Sequence, residues 1–218
     1  MISERSQLLE ALEKDDWPSD ERFDGLLETQ WQRHSRVHWS SLAVCRAAIR
    51  LLRPTAGERV LDVGSGAGKL CVTGALLSPA TFVGVEQRPR LVEQARQVAR
   101  RLDAALVSFI EADAFDVDWR RFECLYFFNP FGELRFPKER MLDDQVSRDL
   151  DKYQQCVTLV AAKLRELPLG TRVAIYNGLG CIMPSSYVLL ASEPVDDSKL
   201  ELWRNVGQFP MSRAATPA

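Results

Sequence analysis

The chain reads as one α/β domain on a doubly wound, seven-stranded and mostly parallel sheet, with helices on both faces and an N-terminal helical extension. Three observations lead there. From Arg59 onward, short apolar runs alternate with helically spaced segments, the pattern of parallel strands joined by crossover helices. The first run enters a glycine-rich turn and then a helix, which leaves free backbone N–H groups at the helix start. Asp62, Glu86 and Asp113 fall at or near the ends of the first three strands, on the edge where open α/β sheets bind ligands.

Residues 1 to 53 form a helical segment of the same domain, for a lid or the substrate side. Within residues 1 to 30, nine acidic side chains stand against three basic ones, and Leu8, Leu9, Leu12, Phe23, Leu26 and Leu27 are spaced for short amphipathic helices. Leu42, Cys45, Ile49 and Leu52 predict a further helix ending before Pro54. The main domain covers residues 54 to 209. Its strands are expected at 60–63, 81–86, 106–110, 124–128, 172–176, 187–191 and 200–203. Between the second and third, Leu91, Ala95, Val98 and Leu102 share one helix face. Cys124 to Phe128 is too continuously apolar to have a wet face, which predicts a central strand covered on both sides. A long helix follows with Val146, Leu150, Tyr153, Val157, Val160 and Leu164 at helical spacing, ended by Pro168 and Gly170. Residues 210 to 218 read as a frayed tail.

Composition bounds the possibilities. At 218 residues, 46% hydrophobic and 27% charged, the chain suffices for one ordinary core. Lysine and arginine number 28 against 30 acidic residues, a formal charge of -2, which argues against obligate binding to phosphate backbones. No apolar run approaches the roughly 18 residues of a membrane helix, and the start Met1-Ile-Ser-Glu-Arg-Ser lacks signal-peptide form, so a cytoplasmic protein is expected. Cys45, Cys71, Cys124, Cys156 and Cys181 are scattered and never C-x-x-C, which points to buried thiols rather than a disulfide framework or zinc knuckle.

The informative segment is Val60-Leu61-Asp62-Val63-Gly64-Ser65-Gly66-Ala67-Gly68-Lys69. Gly64 and Gly66 permit a tight turn and close backbone approach to a ligand. A dinucleotide fingerprint would need Gly or Ala where Lys69 stands, which argues against NAD. The run Leu-Asp-x-Gly-x-Gly-x-Gly resembles instead the first motif of class I S-adenosylmethionine-dependent methyltransferases. That resemblance implies a Rossmann-like fold, S-adenosylmethionine as cofactor, and a cofactor site made by Asp62, Gly64, Ser65, Gly66, Gly68, Glu86 and Asp113. In it the position of Asp62 helps hold the cofactor's amino-acid end. Glu86, eighteen residues beyond Gly68, can accept hydrogen bonds from two adjacent ribose hydroxyls. Asp113, in Ile110-Glu111-Ala112-Asp113-Ala114, matches the segment that contacts adenine.

Asn129-Pro130-Phe131-Gly132-Glu133 follows the fourth strand, beside the first at the topological switch point. It resembles the Asn/Asp-Pro-Pro-aromatic motif of amino methyltransferases, with one proline and with Phe131 one position early. The resemblance implies that Asn129 orients an acceptor nitrogen and that Phe131 packs on the acceptor, with acceleration from positioning and desolvation. Arg59 to Glu133 is also similar to the non-SET histone lysine methyltransferases. No basic nucleosome-binding tail accompanies it, so a histone substrate does not carry over.

Other features stay open at this level. His34 and His38 lie four apart without a third metal ligand, so no metal is assigned. His38-Trp39-Ser40 suits a lid over the cofactor or a helix start with Trp39 inward and Ser40 as cap. Tyr176-Asn177-Gly178-Leu179-Gly180 is a substrate-side loop or a turn. Arg88, Arg90, Arg96, Arg100 and Arg101 read as a charged helix surface. The expected activity is methyl transfer to an acceptor, a nitrogen of a small molecule or protein, without nucleic acid or membrane partners; the sequence leaves the acceptor and the oligomeric state open. Alternatives are an S-adenosylmethionine-binding regulatory module without turnover and a nucleotide-dependent oxidoreductase.

Overall fold

The fold is that of a computed structural model, which describes Arg5, Ser6, Leu8, Glu10 and residues 20–207. The expected tail at 210–218, and Leu9 and Leu12, lie outside the described residues. Strands β1 (Arg59–Val63), β2 (Thr81–Glu86), β3 (Val107–Glu111), β4 (Cys124–Phe128), β5 (Arg172–Tyr176), β6 (Tyr187–Val195) and β7 (Ser198–Asn205) form one sheet in the order β3-β2-β1-β4-β5-β7-β6. The first five pair in parallel, while β7 runs antiparallel to both β5 and β6. This is the expected seven-stranded, mostly parallel architecture. The strand order reverses between β1 and β4, which opens a crevice at their C-terminal ends.

Among the described residues four longer helices cover the sheet: α1 (Leu42–Leu52), α2 (Lys69–Leu77), α3 (Pro89–Arg101) and α4 (Leu150–Arg165). One apolar layer joins α1, α2 and α3 to Val60, Phe82, Phe109, Cys124 and Tyr126; the other joins Val160 and Leu164 of α4, with Trp119 and Phe122, to Leu61, Val63, Leu125 and Phe127. The alternation of β1 and β4 side chains between layers is the period of two that a strand imposes. Cys124 to Phe127 are at most 1% exposed, as a strand covered on both faces requires.

Three expectations shift. β3 starts one residue later, and Leu106 and Ile110 are exposed because β3 is an edge strand. α4 begins at Leu150, where the Asp149 carboxylate accepts from Lys152 N; Val146 precedes the helix and packs with Leu134 and Tyr153, while Leu150 is exposed on the first turn. β6 and β7 are longer than their apolar runs because they pair with each other as a hairpin through Asp196 and Asp197. α1 ends as expected, with Arg53 left-handed before Pro54.

Between residue 20 and α1 lie three single helical turns, Glu21–Asp24, Thr29–Gln32 and Ser35–His38. Phe23, Leu26, Leu27, Trp31 and Trp39 are buried in the same layer as α1 and α2, so this segment packs on the sheet domain.

Candidate active site

The glycine loop is anchored to the neighbouring strand. Gly64 N and Ser65 N both donate to the Val85 carbonyl, at 3.0 and 2.9 Å, and Gly68 N closes a turn on Ser65 O at 2.9 Å. Gly64, Gly66 and Gly68 all have positive φ. At Gly66 the reason is doubled: a Cβ there would run into the Trp39 indole, which lies directly over the loop. Trp39 therefore packs inward and also covers the loop. The cap of α1 is Ser41, whose Oγ accepts from Val44 N at 3.1 Å, and not Ser40. Ser40 instead shares a 2.6 Å hydrogen bond with the buried Tyr126 hydroxyl.

Glu86 ends β2 with only 8% of its surface exposed. One carboxylate oxygen accepts from Gly66 N at 3.1 Å and the other from Arg88 N at 3.0 Å. Each oxygen keeps acceptor capacity for a ligand. Burial raises the carboxyl's pKa, against the opposing effect of the Arg88 and Gly66 N–H groups. Asp113 follows β3 and accepts from Phe115 N at 2.8 Å. Gly64, Gly66, Glu86, Asp113, Asn129 and Phe131 line one cavity of about 270 Å³ at the crevice.

The structure does not bring every expected residue to that cavity. Asp62 lies beneath the loop, 4% exposed, its carboxylate accepting from the Cys71 thiol at 3.5 Å; burial raises its pKa to about 7. Ser65 turns its side chain toward Gly84, and Gly68 packs under Phe109 and Ala95. Phe131 stacks on Phe115 with centroids 5.2 Å apart and planes at 10°, and Phe115 stacks in turn on Trp119. This places Phe131 in a flat apolar wall of the first cavity.

A second cavity of about 780 Å³ opens at the ends of β4 and β5. Trp39, Phe128 and Asn129 line both cavities and form the partition between them. Asn129 takes a left-handed φ of 39° while its carbonyl accepts from Gly132 N, so the chain turns sharply there and its side chain packs against Gly132. Tyr176 and Asn177 line the second cavity, which puts the start of that loop on the expected substrate side.

Two buried cations tie covering segments down. Lys69, the first residue of α2 and 2% exposed, meets Asp24 at 2.9 Å, Asp20 at 3.0 Å and Ser35 Oγ at 2.8 Å, all from the segment ahead of α1. Arg88 is buried rather than on a helix surface, bonded to Glu133 at 2.8 Å and Asp143 at 3.0 Å. Burial opposes its charge, but these carboxylates hold its pKa above the ordinary value. Arg88 thereby holds the 129–149 connection against the carboxylate-bearing end of β2. Among the described residues no group of three or more His, Cys, Asp or Glu side chains could hold a metal ion.

Residues 54–131 match a protein-family model described as a methyltransferase domain. The segment from β1 to just past β4 is thus similar to a methyltransferase domain. The match spans the glycine loop, Glu86, Asp113 and Asn129, on the sheet order described above. The chain is 33% identical over 125 residues to the O-methyltransferase cnsE of Penicillium expansum, covering 57% of this chain and 39% of that protein. It thus spans about two fifths of the curated relative's length. An RNA methyltransferase from Salinibacter ruber, solved with S-adenosyl-L-homocysteine, superposes with a TM-score of 0.55 at 21% identity, over 78% of this chain and 94% of that one. TrmN from Thermus thermophilus superposes at 0.60 with 16% identity, over 81% and 52%. These two likenesses bear on the fold alone.

Sequence reasoning missed both cation clamps and the partition residue Phe128. Asp20 and Asp24 lie one helical turn apart, a signal that they share a face, but their partner is 45 or more positions away. In the sequence Phe128 reads only as the end of a buried strand. Its role at the partition follows from the strand stopping at the cavity.

Proposed function

We propose that the domain transfers a methyl group from S-adenosylmethionine bound in the first cavity to an acceptor bound in the second. The observation that carries this reading is the shared wall: a carboxylate-lined cavity under a glycine loop meets a larger cavity across Trp39, Phe128 and Asn129. Bound S-adenosylmethionine supplies an electrophilic sulfonium methyl. Glu86 would hold the ribose hydroxyls, Gly64 and Gly66 would allow close backbone approach, and Asp113 would face the base beside the Phe131–Phe115 stack. Ser65 and Gly68 act by shaping the loop, and Asp62 supports it from below.

Asn129 would orient the acceptor, with a nitrogen favoured by its similarity to the amino methyltransferase motif. A second cavity of about 780 Å³ lies within the size range of small-molecule sites. With the charge of -2, this favours a small molecule or a protein side chain over nucleic acid. No helix among the described residues is long and apolar enough to cross a membrane, and we place the domain's work in the cytoplasm. The segment ahead of α1 is read as part of the same domain, roofing the acceptor side.

Calorimetry with S-adenosylmethionine and S-adenosylhomocysteine tests the donor half, and radiolabelled methyl incorporation into a fractionated cell extract tests the acceptor half. Binding of both ligands, with label in a protein or small-molecule fraction, is expected. No binding at millimolar ligand refutes the reading; binding without label in any fraction supports a module without turnover.

A further inference from the structure

His38 lines the first cavity together with Gly64, Gly66 and Asn129, and nothing above gives it a task. Its Nε2 lies 2.9 Å from the Arg140 carbonyl oxygen. A carbonyl oxygen only accepts, so Nε2 carries the proton and Nδ1 keeps an unshared lone pair. No hydrogen bond to Nδ1 occurs among the described residues. The ring is packed edge-on against Phe136, with centroids 5.8 Å apart, and against His34 at 5.7 Å. Packing on two rings and one fixed hydrogen bond therefore set both the orientation and the tautomer.

The charged groups facing this ring come from three elements: Glu133 on the 129–149 connection, Arg88 at the start of α3, and His34 on its own segment. Burial lowers the pKa of His38 most; Glu133 and the Arg140 carbonyl oppose it, and His34 and Arg88 reinforce it. The balance falls below 6.5, which leaves a neutral imidazole at pH 7.

Methyl transfer to an O–H or N–H acceptor releases a proton that needs a destination. We infer that His38 Nδ1 is that destination, a general base at the edge of the donor cavity. The inference rests on the methyltransferase reading of that cavity. In the step, the acceptor's lone pair forms the bond to the methyl carbon. The carbon–sulfur bond breaks with its electron pair staying on sulfur. The acceptor's proton passes to Nδ1, giving an imidazolium that returns it to water. Asn129 orients the acceptor and His38 takes the proton, so the two roles are separate.

The substitution His38→Gln separates a base from a tether. A glutamine side-chain amide can still donate to the Arg140 carbonyl, but it has no basic lone pair. We expect S-adenosylhomocysteine to bind His38→Gln within twofold of wild type, while the rate of methyl incorporation into the labelled extract fraction falls about 10²–10³-fold. In wild type that rate should rise with pH through the pKa of His38 and then level, a limb absent from His38→Gln. Because the chain holds only two histidines, nitrogen NMR with a His34→Asn variant for assignment reads His38 directly. It should show the Nε2–H tautomer, and a lower pKa with S-adenosylmethionine bound than with S-adenosylhomocysteine, whose sulfur carries no charge. An Nδ1–H tautomer, an equal pKa in the two complexes, or undiminished turnover in His38→Gln overturns the inference. Failure of wild type to bind S-adenosylhomocysteine overturns the methyltransferase reading instead.

Discussion

Replacing Lys69 with methionine removes the cation that joins α2 to the segment ahead of α1 while keeping much of the side chain's apolar length. Three polar contacts go with it, besides the Phe23 ring 5.4 Å from the ammonium, and they differ in weight. The Asp24 carboxylate, with 15% of its side chain exposed, and the buried Ser35 hydroxyl each lose a charge-assisted hydrogen bond worth about 1–1.5 kcal/mol. Asp20, with 32% of its side chain exposed, is partly screened, and its contact is discounted to about 0.5 kcal/mol. A positive charge at a helix N-terminus is unfavourable, so its removal returns about 0.3–0.5 kcal/mol. The expected loss is about 2–3 kcal/mol, or a melting temperature lower by about 5–10 °C. Urea unfolding followed by far-ultraviolet circular dichroism measures it. The double variant Lys69→Met with Asp24→Asn should regain part of the loss, because the uncompensated carboxylate has gone. A loss below 1 kcal/mol, or no recovery in the double variant, refutes the claim that this buried ammonium clamps the segment.

Three further outcomes are expected. Glu86→Ala should weaken S-adenosylhomocysteine binding by about 1–3 kcal/mol, read by calorimetry, through loss of ribose hydrogen bonds. Gly66→Ala should abolish detectable binding and lower the thermal midpoint, since the added methyl meets the Trp39 indole and φ is positive. Asp62 has a folded pKa of about 7 against an ordinary 3.8, so the unfolded state ionises first as pH rises. Its contribution is fully present below about pH 4 and is lost as pH climbs toward 7. Urea midpoints should therefore fall over that window in wild type, and Asp62→Asn should flatten the fall.

The glycine loop and Glu86 were legible in the sequence because each is a local event. A buried strand running into Gly-Ser-Gly-Ala-Gly has few conformations open to it, and a carboxylate at the end of the next parallel strand must lie nearby. Asp62 shows the limit of that logic. Its side chain alternates with Leu61 and Val63 and so enters the layer with Cys71, while the cavity lies beyond the strand end. Phe131 is expected beside the acceptor; its ring stacks on Phe115 in the wall of the first cavity, just after the turn at Asn129.

The short buried strands, the helices between them and the glycine turn follow from hydrophobic periodicity and turn residues, which act between neighbours in the chain, whereas the strand order, with β1 paired to β4, belongs to the tertiary structure. The partners of Lys69, Arg88 and His38 were decided only by tertiary structure. Lys69 joins residues 45 and 49 positions apart, Arg88 joins residues 45 and 55 apart, and His38 reaches a carbonyl 102 positions away. A charge buried by folding must find its counter-charge wherever the packed chain brings one, and no local pattern records that meeting.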